Sequence, residues 1–387
     1  MAGGRSFHNS TPKSIAFVVN NYPPKVGGVE LHVHALAKEL SMKGHSVTVV
    51  TLDNDNSDAT EDGVEVLRMA SSRPIGGVLA FPKPGARRRI TKILCEKRVE
   101  VISTHTRFFP MSFLGIRAGR ALGVPVVHTE HGSDHVRGVS SIVAAASRLV
   151  DWTMGRYVLK SANRVLAISS ASAAFVQRLA GRDSTVFHNA IHSRFFAHSA
   201  APRVTPHRLV FLGRLVPGKG WERVVEVGEQ LLPEFKELSV HFIGDGSERA
   251  LLEKRVASSP HRERYTIHGY LPPDAIRSVL TSSVLLNPTE LAEGFQTTLL
   301  EAVAAGGAVI SAPVAAAEYL KQQGAAVQTI DTNDAKSWVE ASRIALGTPT
   351  VPVSSELLGD MDWSKRSAEF VEQARIAAQK NPVKSVG

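Results

Sequence analysis

Short apolar runs alternate with helix-length segments along most of the chain. Ile15–Val19 has the character of a buried strand, and Val47–Thr51, Val64–Leu67, Val99–Ile102 and Val124–Val127 follow it. Between the first two, Val29–Lys43 places Leu31, Ala35, Leu36 and Leu40 at helical spacing, and Gly44 stands where that helix would end. After a loose polar stretch, Ala197–His207, the pattern restarts with Leu209–Leu212 and recurs at Leu238–Ile243, Tyr265–His268, Val284–Leu286 and Ala308–Ile310. A charged amphipathic helix is predicted over Ser364–Ala378, and loose ends over 1–13 and 381–387. Strands alternating with helices predict parallel sheets covered on both faces. The chain is therefore expected to be α/β, with two doubly wound domains at 14–196 and 208–362. In such folds ligands bind beyond the carboxyl ends of the strands, here in a cleft expected between the domains.

Charge narrows the partners. Among 387 residues, Lys and Arg number 45 and Asp and Glu 36, a net charge of +9. That excess suits an anionic partner: nucleic acid, an anionic lipid surface or a phosphorylated substrate. Against a non-catalytic nucleic-acid-binding protein, aromatics are only 6% and no nucleic-acid module signature is present. The single cysteine, Cys95, excludes an internal disulfide framework and a cysteine-rich zinc site. The longest uncharged stretch, Ala302–Ala317, is sixteen residues rich in Ala and Gly, too short to span a bilayer. The polar start, Met1–Lys13, lacks an apolar signal segment, so a cytoplasmic protein with at most peripheral membrane contact is expected.

Candidate chemistry lies just after the strands. Asn20–Gly28 ends in Gly27 and Gly28 at a predicted helix start, where free N–H groups suit a phosphate; a plain tight turn reads equally well. Gly213–Gly220 carries Arg214 and Lys219 around a Pro-Gly turn, a plausible diphosphate clamp without the Walker A pattern. Pro288–Glu301 places Glu293 before a helix and Glu301 eight positions on; carboxylates there can accept hydrogen bonds from sugar hydroxyls, and the N–H groups near Gly294 and Phe295 can meet a phosphate or sugar. His105, His128 and His131 also follow strands, and His188 precedes Asn189 in the linker region, but His128-x-x-His131 has no helix context and no fitting third ligand, so no metal is expected there. The Asp53/Asp55 and Asp360/Asp362 pairs read as solvated loop carboxylates. Lys83–Arg98 has seven cations against Glu96, with Ile90, Ile93 and Leu94 on one side: a segment for an anionic membrane, or a surface helix covering its sheet.

Together these residues resemble a retaining glycosyltransferase of family four, of the GT-B fold, from about Ile15 to the last helix. The likeness rests on Pro24–Gly28, Gly44-His45, His131-Gly132, His188-Asn189, Phe211–Gly220 and Glu293-x7-Glu301. It implies two Rossmann-like domains, with a C-terminal helix (363–380, Trp363 near its start) crossing back to the first. It implies that Gly27 and Gly28 approach the donor diphosphate, that Arg214 and Lys219 bind it, and that Glu293 contacts the donor sugar. Glu301 would hold the ribose, His131 would lie by the donor sugar and acceptor, and His105 would lie near the acceptor pocket. The implied reaction moves a hexosyl-type sugar from a nucleotide-diphosphate sugar to a glycan or lipid-linked acceptor, with retention and without cofactor or metal. Cell-envelope glycolipid or polysaccharide assembly is the implied setting. Two departures stand out: Gln296 where the family usually has glycine, and Ser311–Glu318 without the usual Gly-Gly and Pro-Glu. A nucleotide-sugar epimerase on the same fold is the alternative enzyme; it would need no separate acceptor.

Overall fold

The computed structural model describes residues 11–379, apart from 26, 56, 75–78, 136–140, 197–204, 332–333 and 351–352. The expected linker thus falls largely outside the described residues, as do the two ends. The chain divides into two compact units, one of residues 1–188 with 363–387 and one of residues 189–362.

The first unit is built on an eight-stranded sheet: β1 (Ser14–Val18), β2 (Ser46–Leu52), β3 (Ala59–Glu61), β4 (Val64–Met69), β5 (Val101–His105), β6 (Val126–Glu130), β7 (Arg164–Ala167) and β8 (Thr185–Val186). The order is β3-β4-β2-β1-β5-β6-β7-β8, parallel except where β3 turns back on β4. Its helices are α1 (Gly28–Met42), α2 (Ala86–Glu96), α3 (Pro110–Leu122), α4 (Ser141–Val150), α5 (Arg156–Ser161) and α6 (Ser170–Ala180), with a π-turn, Asp151–Gly155, between α4 and α5. Burial on both faces explains the unbroken apolar strands: all of β5 and β6 is buried. Ile90 and Leu94 of α2 enter the core with Ile102, Ile116 and Val126.

The second unit carries β9 (Arg208–Leu212), β10 (Ser239–Ile243), β11 (Tyr265–Gly269), β12 (Val284–Asn287), β13 (Ala308–Ser311) and β14 (Val327–Thr329), all parallel in the order β11-β10-β9-β12-β13-β14. Around them lie α7 (Ser193–Phe196), α8 (Trp221–Leu231), α9 (Arg249–Ala257), α10 (Pro273–Leu280), α11 (Thr297–Ala304), α12 (Ala315–Gln322), α13 (Ala335–Gly347) and α14 (Ser355–Asp360). Trp221, Val224 and Val225 of α8 share a core with Phe211, Phe242 and Trp338.

The last helix, α15 (Trp363–Gln379), belongs to the first unit. Its Phe370 stacks on Phe17 of β1, and its Trp363 meets the edge of His32 from α1. Each sheet reverses its winding once, between β1 and β5 and between β9 and β12. Loops beyond the carboxyl ends at those two points are where doubly wound folds gather ligands. Among the described residues, no helix is long and apolar enough to cross a membrane.

Candidate functional site

In the second unit the loops after β9 and β12 are interlocked. Gly220 has φ +82, and a Cβ there would lie 2.3 Å from the Pro288 carbonyl oxygen. The Glu290 N–H donates to the Gly218 carbonyl at 2.9 Å. This contact brings Lys219 to Glu293, Nζ to Oε1 at 2.6 Å, with both side chains mostly buried. Arg214 is exposed, with no hydrogen bond to its guanidinium among the described residues. A cation and a carboxylate paired at a switch point, with a second cation exposed in the same loop, can take a diphosphate and a sugar hydroxyl in place of each other.

Glu301 lies on α11, part-exposed, its carboxyl without a hydrogen-bond partner among the described residues. Burial pushes its pKa up to about 7. Gly294 is half-buried; Phe295 is buried against Tyr319, and its carbonyl accepts the Asn189 amide at 2.8 Å. Gln296 pairs its amide with Asn287 of β12 in both directions, at 2.9 and 3.1 Å. At the position where the family usually has glycine, this side chain is thus engaged with the end of β12. A cavity of about 650 Å³ also borders these loops, but Glu222, Glu226, Glu290 and Asp331 line it, and so many carboxylates suit a diphosphate poorly.

Sequence reasoning missed the loop after β10. Gly244 has φ +128, and a Cβ there would sit 1.9 Å from the Gly213 carbonyl oxygen; one on Gly246 would sit 2.2 Å from that of Leu215. The Leu215 N–H donates to the Asp245 carbonyl at 2.9 Å. Gly244-Asp-Gly246 therefore sets the height of the Arg214 loop, and the signal was a glycine pair directly after a strand.

In the first unit Gly27 caps α1 in extended conformation, with the Glu30 carboxylate so close that a Cβ would lie 2.2 Å from it; nothing lies within 4 Å of a Cβ on Gly28. His131, half-buried after β6, meets His105 at the end of β5, Nε2 to Nδ1 at 3.0 Å. His105 is fully buried and also bonded to Ser103 Oγ at 3.0 Å. Its buried ring thus touches the half-buried His131, the residue expected beside it on the acceptor side. His32 closes the group, its ring 4.8 Å from that of His131. The three have ring nitrogens within 4.8 Å of one another, a donor set of a kind zinc takes; His128, the other half of the spacing read from the sequence, is not among them. Burial and the mutual repulsion of the rings hold His105 and His131 well below the ordinary histidine range.

Beside them lies a buried ionic network that sequence reasoning did not anticipate. Arg107 donates to Glu130 Oε1 at 2.8 Å and to both carboxylate oxygens of Asp151, at 2.8 and 3.0 Å. Glu130 also accepts the N–H of Gly132, next to His131, at 2.7 Å. Burial would raise the Glu130 carboxyl, but Arg107, with His128 and that N–H, holds it down to about 2. Thr106, between His105 and Arg107, has φ +65, a strained conformation for a β-branched residue. The one sign of this network in the sequence is charge placed at the ends of apolar strands.

The Asp-x-Asp pairs are occupied locally: Asp53 accepts the Asp55 N–H at 3.1 Å and faces Arg68, and Asp362 accepts the Ser193 N–H at 2.9 Å. In the Lys83–Arg98 segment Ile90 and Leu94 are buried and Ile93 packs on the core. Its apolar side is used by the sheet, and its cations, Arg87, Arg88 and Arg89 among them, are left exposed.

Residues 26–195 match the family model described as Glycosyltransferase Family 4, and residues 206–347 match that of Glycosyl transferases group 1. The chain belongs to glycosyltransferase family 4. This glycosyltransferase is 26% identical over 358 residues to the phosphatidyl-myo-inositol mannosyltransferase of Mycolicibacterium smegmatis, covering 89% of each chain. It is 25% identical over 317 residues to a subunit of the phosphatidylinositol N-acetylglucosaminyltransferase of Homo sapiens, covering 78% of this chain and 62% of that one. It thus spans less than two thirds of the human protein. Anabaena Alr3699/HepE, solved with UDP, superposes with a TM-score of 0.66 at 16% identity, over 95% of this chain and 97% of that one. The glycosyltransferase has the GT-B fold, with two parallel-sheet α/β domains.

Proposed function

We propose that the protein transfers a hexosyl-type sugar from a nucleotide-diphosphate sugar to a hydroxyl of a lipid-linked acceptor, with retained anomeric configuration and without a metal. The observation that carries this reading is the Lys219–Glu293 pair at the β9/β12 switch point, with Arg214 exposed in the same loop after β9. A donor diphosphate would take Lys219 from Glu293 and draw in Arg214. Glu293 would then be left to accept from a sugar hydroxyl, and Glu301 from the ribose. In the transfer the bond from C1 to the diphosphate oxygen breaks and a bond from C1 to the acceptor oxygen forms on the same face. The acceptor proton passes to the departing diphosphate, whose growing charge Arg214 and Lys219 offset. In the first unit, His131 would be presented to the acceptor and His105 would hold its ring. An inositol phospholipid acceptor is supported by two relatives named for phosphatidylinositol.

The test is a matrix of uridine, guanosine and adenosine diphosphate sugars against inositol phospholipid and soluble glycan acceptors. The anomeric proton coupling of the product is read by NMR. A product only with a lipid acceptor, of the donor's configuration, supports the reading. Isomerised donor without acceptor would point to an epimerase, and inverted product would overturn retention.

A further inference from the structure

The helix α4 has its amphipathic pattern turned outward. None of its ten residues is buried. Its two half-covered positions are Ala144 and Ser147, on one side of the helix. The opposite stripe carries Ile142, Ala146 and Leu149 at i, i+4 and i+7, with Ile142 81% and Leu149 65% exposed. Trp152, in the π-turn that continues the helix, is 52% exposed, with the Arg156 guanidinium over its ring at 5.4 Å. A helix resting on a protein core would bury the large apolar side and expose the small polar one.

Charge indicates what covers that stripe. Between Ser141 and Ser161 the cations are Arg148, Arg156 and Lys160, and the one acid is Asp151. Asp151 is buried and neutralised by Arg107, with His135 Nδ1 at 2.5 Å, so the charges this segment leaves uncovered are positive. An apolar ridge of Ile, Leu and Trp flanked by Arg and Lys is the pattern that settles at the headgroup boundary of an anionic bilayer. We propose that α4 and the turn after it seat the chain on an anionic lipid surface. This supplies the proposed lipid acceptor with a docking element, and it takes over the role that the sequence suggested for Lys83–Arg98.

Trp152 makes the test direct, because Trp221, Trp338 and Trp363 are all buried. Full-length protein, without donor or acceptor, is mixed with phosphatidylcholine vesicles containing or lacking phosphatidylglycerol. Co-sedimentation and tryptophan emission are recorded at low and high salt. Binding to anionic vesicles with a blue shift is expected, and the shift should vanish in Trp152→Phe. The Ile142→Ser/Leu149→Ser double variant should bind about tenfold more weakly or worse, since two large apolar side chains no longer enter the lipid. These positions are exposed, so an unchanged melting temperature is expected and is checked. The Arg87→Gln/Arg88→Gln/Arg89→Gln variant should keep the blue shift. Wild type that ignores anionic vesicles, or a double variant that binds equally, overturns the proposal. So does a wild-type dimer that the double variant dissociates, because a second copy would then be the occupant. Vesicle binding is read without turnover, so its failure is distinguishable from failure of the transferase reading.

Discussion

The Glu301 carboxyl, lifted by burial to about 7, makes donor binding depend on pH in a calculable way. If only the ionised carboxylate accepts the ribose hydroxyls, affinity follows the ionised fraction. That fraction is about 0.9 at pH 8, 0.5 at pH 7 and 0.09 at pH 6, from a single titration at the stated pKa. The association constant for a nucleotide-diphosphate sugar should therefore fall about tenfold between pH 8 and pH 6, a change of about 1.4 kcal/mol, with most of it below pH 7. About half a proton should be released on binding at pH 7, as the bound carboxyl completes its ionisation. Isothermal titration with UDP-glucose in buffers of different ionisation enthalpy measures both quantities. A sugar diphosphate is the right probe, because it lacks the terminal phosphate ionisation near pH 6. Glu301→Gln should bind more weakly at pH 8 and lose the slope. A flat wild-type profile, or the same slope surviving in Glu301→Gln, would refute the reasoning.

Four further outcomes are expected. Lys219→Ala should lower turnover by about ten- to a thousandfold, as loss of one group that stabilises transition-state charge does, and wild-type turnover in a folded variant would remove it from the diphosphate site. Stability should fall as pH drops below about 6.5, because unfolding lets His105 and His131 take protons that the folded state refuses. Urea titrations from pH 7 to 5 should show His131→Gln losing about 1.4 kcal/mol per pH unit of that slope. Activity should survive excess chelator, while loss restored by magnesium or manganese would return Asp53 and Asp55 to consideration. Gly244→Ala should destabilise the second unit in thermal melts, since its Cβ would meet the Gly213 carbonyl at 1.9 Å; an unchanged melting temperature would contradict that close approach.

Most of the strands were legible because parallel strands buried on both faces must be apolar throughout, as Val47–Thr51 and Leu209–Leu212 are. β7 and β14 escaped notice because Arg164–Ala167 and Val327–Thr329 are short and carry polar residues. The candidate donor residues were legible because a turn at a strand end needs Gly and Pro, and its cations then stand out. The Arg107–Glu130–Asp151 network was hidden because its members lie 23 and 44 positions apart from Arg107, and only the folded sheet brings them together. The two readings of Lys83–Arg98 stayed open for a related reason. Periodicity reports that a helix has an apolar side, as Lys83–Arg98 does, but not whether the sheet already covers it. The helix that leaves its apolar side open is short and rich in alanine, and alanine carries little signal.

The return of α15 to the first unit sets an order on biosynthesis. Phe17 and Phe187 both face Phe370, and His32 faces Trp363, so the amino-terminal sheet lacks part of its cover until residues 363–370 have been made. The second unit lies wholly inside that interval and can mature as an insertion while the first waits. A nascent chain released after residue 362 would therefore have a complete second unit and a first unit with an apolar seam still bare. Such a nascent chain would be a ready client for chaperones, and α15 supplied in trans as a peptide should relieve it.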